Sequence, residues 1–170
     1  VLMNVSEMKL TKPNVADLSV ADKFIRSKMK KAIADVTASI NAFRFDQVAN
    51  TIYEFIWNEY CDWYLEFTKA ILKSDKATAE QKNATAYTLV EVLEAVMRLV
   101  HPVMPFLTQT IWLQTAPMIG KLNEQKTIIN AAFPQESDFD EDKKAEADIN
   151  FIKDVATTIR NLRAEMKVSP

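Results

Sequence analysis

The sequence predicts an all-α fold, an antiparallel bundle of about five helices that forms a single domain over residues 1–170. Its 170 residues include a single glycine, Gly120, where an average chain of this length has roughly a dozen. Turn-rich β folds and glycine-rich phosphate loops are therefore excluded. Hydrophobic residues make up 48% and charged residues 26%, which is typical of a folded domain. Apolar residues recur at the helical period in five segments.

The first two helices are predicted over about residues 17–43 and 46–73. Asp17 or Ser19 is the candidate N-cap of the first. The second has an unusually wide apolar arc, which indicates packing against two neighbours. We expect those neighbours to cover four aromatic side chains of the second helix, namely Tyr53, Trp57, Tyr60 and Tyr64.

The third and fourth helices are predicted over about residues 79–101 and 105–115, because Pro102 and Pro105 interrupt the chain between them. A loop is expected over 116–135, with residues 127–130 as a short extended piece. Residues 136–148 hold seven acidic and two basic residues, which is typical of a solvated linker or a helix start. A fifth helix is predicted over about 141–166, where the apolar positions have nearly heptad spacing.

Composition excludes several classes of function. Lys and Arg number 21 and Asp and Glu 23, a net charge of −2, so any binding of nucleic acid needs a local patch. The single cysteine, Cys61, excludes an internal disulfide, and with one histidine, His101, neither a metal site nor a nucleophilic catalytic group is expected. No apolar run reaches membrane-spanning length.

Two acidic residues of the second helix, Glu59 and Glu66, lie on its apolar stripe. We expect both to be largely buried and to be paired with a cation, for which Arg26 and Arg44 are the candidates. A structural ion-pair network is the favoured interpretation over a catalytic carboxylate pair. Glu94 and Arg98, by contrast, are placed opposite the seam of the third helix, where a surface ion pair contributes little.

Five cations lie within residues 23–31, where Phe24, Lys28 and Lys31 share the face opposite the apolar seam. An aromatic ring between two lysines can stack a base while the ammonium groups hold phosphates. The alternative is that Phe24 packs on a neighbouring element and the lysines form a solvated face. A second basic stretch contains Arg160, Arg163 and Lys167.

Three stretches together resemble the valyl-tRNA synthetases, which are class Ia aminoacyl-tRNA synthetases. The segment most specific to that family is YEFIWNEYCDWYLE at 53–66, preceded by FRFD at 43–46. The others are LVHPVMPFLT at 99–108, followed by Ile111 and Trp112, and IRNLRAEMKVSP at 159–170. The resemblance covers nearly the whole chain from about Asp22 onward.

The resemblance implies an anticodon-binding domain that holds the anticodon stem-loop of valine tRNA. It implies that catalysis, with ATP and magnesium, belongs to an upstream domain of a cytoplasmic parent enzyme, whose catalytic and C-terminal domains would be further partners. Residues 1–16 look like the truncated end of an upstream helix and a linker. Asn4 and Asn58 join Phe24, Lys28 and Lys31 as candidate tRNA contacts. The alternative is a helical protein-interaction module without nucleic-acid binding.

Overall fold

The computed structural model describes Val5 and residues 9–167, and the all-α bundle is confirmed over this part of the chain, which contains no β-strand. Six α-helices and one π-helical segment carry the fold. They are α1 (Val20–Asn41), α2 (Phe45–Glu54), the π segment (Phe55–Tyr64), α3 (Leu65–Lys73), α4 (Ala79–Val100), α5 (Pro105–Thr115) and α6 (Lys143–Glu165).

Local signals in the sequence set where the helices begin. Ser19, one of the two candidate caps, is the N-cap of α1: its hydroxyl accepts from the Asp22 N–H, and the Asp22 carboxylate accepts from the Ser19 N–H. Thr78 and Gln81 form the same reciprocal arrangement at the start of α4. Pro105 opens α5, and Asp142 caps α6.

The core is organised around α1 and α4. Helix α1 packs against α2, the π segment, α4 and α6, whereas α4 also packs against α3 and α5. From Ala84 to Val100, every residue of α4 except Leu93 and Arg98 is buried. A helix enclosed on all sides has no solvent face, so position around it says little about exposure.

Two local predictions differ from the structure. The predicted second helix is interrupted by the π segment, in which hydrogen bonds run from i to i+5. The expected extended piece is instead a 3₁₀ turn at Ile128–Asn130. The acidic stretch 136–148 holds a 3₁₀ turn, Glu136–Asp138, and the first turns of α6.

Candidate nucleic-acid interface

The structure rules out Phe24 as a base-stacking residue. Its side chain is fully buried, because the face of α1 opposite the apolar seam packs against α6. Two ammonium groups cover the ring, Lys28 Nζ at 5.6 Å and Lys153 Nζ at 5.5 Å from its centroid. The prediction for Phe24 is therefore wrong, and the alternative of packing on a neighbouring element is correct.

The other predicted contact residues fall in three different situations. Lys28 is mostly buried and lies 3.5 Å from the Glu146 carboxylate, so its charge is already partly neutralised. Lys31 and Asn58 are exposed to solvent. Asn4 lies outside the described residues. The basic stretch of α1 thus leaves Lys31, but not the proposed aromatic partner, available to RNA.

Only half of the aromatic face of the second predicted helix is covered. Tyr60 and Tyr64 are buried, as expected, and donate hydrogen bonds of 2.7 Å to the Leu89 carbonyl and the Asp22 carboxylate. Tyr53 and Trp57 remain 62% and 56% exposed. Their rings are nearly parallel, with an interplanar angle of 8° and centroids 6.3 Å apart.

The corner between α1 and α2 presents two more exposed aromatic rings. The Phe43 N–H donates to the Ile40 carbonyl and the Arg44 N–H donates to the Ser39 carbonyl, the pattern of a Schellman cap. Phe43 takes the left-handed position of this cap, with φ +57°, which usually favours glycine. Phe43 and Phe45 are 79% and 63% exposed.

Helix α6 is held on the bundle by cations that cover an aromatic ring. Lys153 Nζ and the Arg160 guanidinium lie 5.6 and 5.1 Å from the centroid of the Trp63 ring. Lys153 also donates to the Glu59 carboxylate at 2.8 Å. Arg160, in the predicted second basic stretch, thus contacts the protein's own surface.

The predicted ion pairs are rearranged. Glu59 is mostly buried and paired, as expected, but its partner is Lys153. Glu66 is 59% exposed and pairs with Lys69, so its predicted burial is wrong. Arg26 instead pairs with Glu91 of α4, and Arg44 forms an exposed pair with Asp46, which lowers the pKa of that carboxyl through its hydrogen bond.

The pair formed by Glu94 and Arg98 is not on the surface, contrary to prediction. Glu94 is 1% exposed and accepts from Arg98 at 2.8 and 3.0 Å. It also accepts from the Trp112 indole at 2.8 Å and from Lys121 at 3.3 Å. The network ties α4 to α5 and to the segment that follows α5, so it stabilises the fold.

Asp22 is a second buried acid, and among the residues that the structure describes no cation is in hydrogen-bond contact with it. Its carboxylate accepts from the Ser19 N–H and hydroxyl and from the hydroxyls of Tyr64 and Thr85, at 2.7 to 2.9 Å. The signal in the sequence was the capping box at Ser19 and Asp22, which indicates a helix start but not the interhelical contacts.

Cys61, the single cysteine of the chain, lies half-buried on the π segment. The Cys61 thiol has its pKa raised by burial and by the charge of Asp62, so it is a poor nucleophile. Val5 and residues 9–167 contain no group of three His, Cys, Asp or Glu side chains positioned to hold a metal ion. Within the same residues, no helix is both long enough and apolar enough to cross a membrane.

Comparison with known proteins assigns the family. Residues 22–170 match the model of the family described as the anticodon-binding domain of tRNA ligase. The chain belongs to this family. It is 43% identical over 170 residues to the valine–tRNA ligase of Coxiella burnetii and 42% identical over 171 residues to that of Francisella tularensis subsp. tularensis. The chain is covered completely in both comparisons, and it spans 18% of the length of each relative.

The family match begins at Asp22, so it includes α1 from its third residue, the whole of α2 to α6 and every exposed surface described above. In an anticodon-binding domain the surfaces of interest are those that present aromatic and polar side chains to unpaired bases. Tyr53 and Trp57 are an exposed aromatic pair of this kind, and Asn58, an exposed amide, follows Trp57 in the sequence. The sequence pattern predicted Asn58 as a contact residue but placed the rings of Tyr53 and Trp57 in the interior.

Proposed function

We propose that this chain is the anticodon-binding domain of a valine–tRNA ligase and that it holds the anticodon stem-loop of valine tRNA. The observation that carries the proposal is the match over residues 22–170, together with identities above 40% to two valine–tRNA ligases. By holding the loop, the domain orients the tRNA so that its acceptor end reaches a catalytic domain of the parent chain. That domain, rather than this one, would use ATP and magnesium, in the cytoplasm.

The exposed side chains support recognition by stacking and by hydrogen bonds to base edges, with few contacts to phosphate. Lys31 and Asn58 are exposed, and we propose both as contacts, with Asn4 as a third. The net charge of −2 limits the number of phosphates that the domain neutralises. We therefore expect the chain alone to bind tRNA with micromolar or weaker affinity, which decreases as salt rises.

Filter binding tests the proposal. The purified chain is titrated with valine tRNA and with the same tRNA carrying a different anticodon, at two salt concentrations. We expect weak binding with a modest preference for the valine anticodon, and no valylation when ATP and valine are added. Equal binding to both tRNAs would contradict anticodon recognition, and tight binding that salt does not change would contradict the proposed contacts.

A second candidate function, contact with another protein surface, has its own observation. From Ile152 onward, α6 and the residue that follows it expose five apolar side chains spaced three or four residues apart: Ile152, Val155, Ile159, Leu162 and Met166. This aliphatic stripe fits another helix. It supports contact with the catalytic or C-terminal domain of a parent chain, and complete absence of tRNA binding would leave it as the favoured function.

A further inference from the structure

We propose that Tyr53 and Trp57 form a platform on which one unpaired base of the anticodon loop stacks, an inference that rests on the proposed function. Both side chains are more than half exposed, and their rings are nearly parallel. They are four residues apart, so they lie on one face of the chain across the junction of α2 and the π segment. Aromatic rings stack bases of any identity because each base has a π face.

The chemistry around the two rings matches a nucleobase better than a phosphate. Asn50 and Asn58 are exposed amides, the first one turn before Tyr53 and the second directly after Trp57. Amide groups donate to and accept from base edges. Glu54 is exposed and acidic, which disfavours phosphate at this place. The platform is therefore suited to a neutral, planar ligand with hydrogen-bonding edges.

The π segment, which carries Trp57, is attached to the core by two buried hydrogen bonds. Tyr60 and Tyr64, three and seven residues after Trp57, donate to the Leu89 carbonyl and to the Asp22 carboxylate in the core. These bonds connect the π segment to α4 and α1. A surface that is rigid before binding loses less conformational entropy when it captures a flexible loop.

The surface formed by Tyr53 and Trp57 differs in chemistry from the exposed stripe of α6, and the difference favours RNA rather than protein as the ligand of the two rings. That stripe consists of aliphatic side chains at helical spacing, as a protein helix requires. The pair at the junction of α2 and the π segment consists of two flat rings, with exposed amides at nearby positions in the sequence. Stacking on single-stranded bases is the interaction that such a pair supports.

The test uses the purified chain and an RNA hairpin that carries the valine anticodon loop, with 2-aminopurine placed at each loop position in turn. We expect Trp57→Ala and Tyr53→Ala each to weaken binding about tenfold and Trp57→Phe to weaken it less. Fluorescence of 2-aminopurine at one loop position should be quenched by the unmodified chain and not by a saturating concentration of Trp57→Ala. The matched control is Phe106→Ala, which removes an 89% exposed ring at the start of α5 and should change neither measurement.

The outcomes separate this inference from the proposed function. Equal affinity and equal quenching for the unmodified chain and Trp57→Ala would overturn the platform while the preference for the valine anticodon stands. Absence of binding to both the hairpin and valine tRNA would overturn the proposed function as well. If a longer parent ligase shields Trp57 from iodide without RNA, the rings contact another domain and the platform is wrong.

Circular dichroism melting curves should be unchanged in all variants, because the replaced rings are exposed.

Discussion

Glu94 and Glu66 are the same side chain in two helices of one bundle, yet their surroundings are opposite. Glu94 on α4 is 1% exposed and accepts hydrogen bonds from Arg98, Trp112 and Lys121. Glu66 on α3 is 59% exposed and has one partner, Lys69, at 2.6 Å. The apolar periodicity of each helix predicted the reverse, with Glu66 inside and Glu94 outside.

The difference teaches where the helical-wheel argument fails. It assumes a helix with one solvent face, whereas α4 is enclosed by α1, α3 and α5. It also assumes a constant rotation per residue, which the π segment changes just before Glu66. In both cases the sequence pattern is correct for an isolated α-helix, and the tertiary arrangement decides the exposure.

The largest expected effect is that of Glu94→Gln. Loss of the carboxylate charge leaves the guanidinium of Arg98 without its counter-ion, although the Arg98 side chain is only 10% exposed. Breaking a buried ion pair in this way typically costs about 3–5 kcal/mol. We expect the free energy of unfolding to fall by about that amount in urea denaturation. A loss below about 1 kcal/mol would mean that water already solvates the network.

The same contrast shows how much of the molecule is predictable from its sequence. The helix starts at Ser19, Thr78 and Pro105 follow from capping chemistry, which acts over three or four residues. Burial of Phe24 and exposure of Trp57 depend on which helices pack there, and these contacts join residues far apart in sequence. Of the predicted contact residues, Asn58 and Lys31 are on the surface. The rings of Tyr53 and Trp57 were predicted to be covered by neighbouring helices, so the sequence did not predict an exposed aromatic platform.

Asp22 extends the comparison to a buried acid whose hydrogen-bond partners, within the described part of the chain, are all neutral groups. Asp22→Asn replaces one acceptor oxygen by a donor, which faces the hydroxyls of Ser19, Tyr64 or Thr85. Hydrogen bonds to charged groups contribute about 1.5–3 kcal/mol, so we expect unfolding to become about 2–3 kcal/mol easier. Chemical denaturation measures the change. Thr85→Val is the control: it removes one donor of the same group and should cost less.

The third prediction concerns high pH. Burial raises the pKa of Tyr60 and Tyr64 well above the usual value, and for Tyr64 the charge of Asp22 adds to the effect. The unfolded chain therefore releases these protons first, and the free energy of unfolding falls as pH rises above about 10. The slope reaches at most about 1.4 kcal/mol per pH unit for each tyrosine. Tyr60→Phe should reduce the slope measured between pH 9.5 and 11 (about half a unit below and one unit above the ordinary tyrosine pKa). An unchanged slope would contradict the assignment of this pH dependence to the raised pKa of Tyr60.

Glu59 is intermediate between the two glutamates, since its side chain is 22% exposed and its partner Lys153 is 18% exposed. Glu59→Gln keeps the shape and removes the charge. We expect a loss of about 1 kcal/mol, between the values for exposed and buried pairs. The double-mutant cycle with Lys153→Met isolates the coupling. A coupling energy near zero would place this pair with the exposed ones.

Glu66→Gln is the smallest expected effect and completes the series with an identical substitution. Glu66 and Lys69 are three residues apart on α3, with side chains 59% and 46% exposed. Water solvates both charges well and salt screens their attraction, so such pairs contribute about 0.2–0.5 kcal/mol. Urea denaturation at low and at high salt should show a loss within this range that disappears at high salt. A loss as large as that of Glu94→Gln would mean that exposure does not set the strength of ion pairs in this bundle, and the explanation for the difference between the two glutamates would fail.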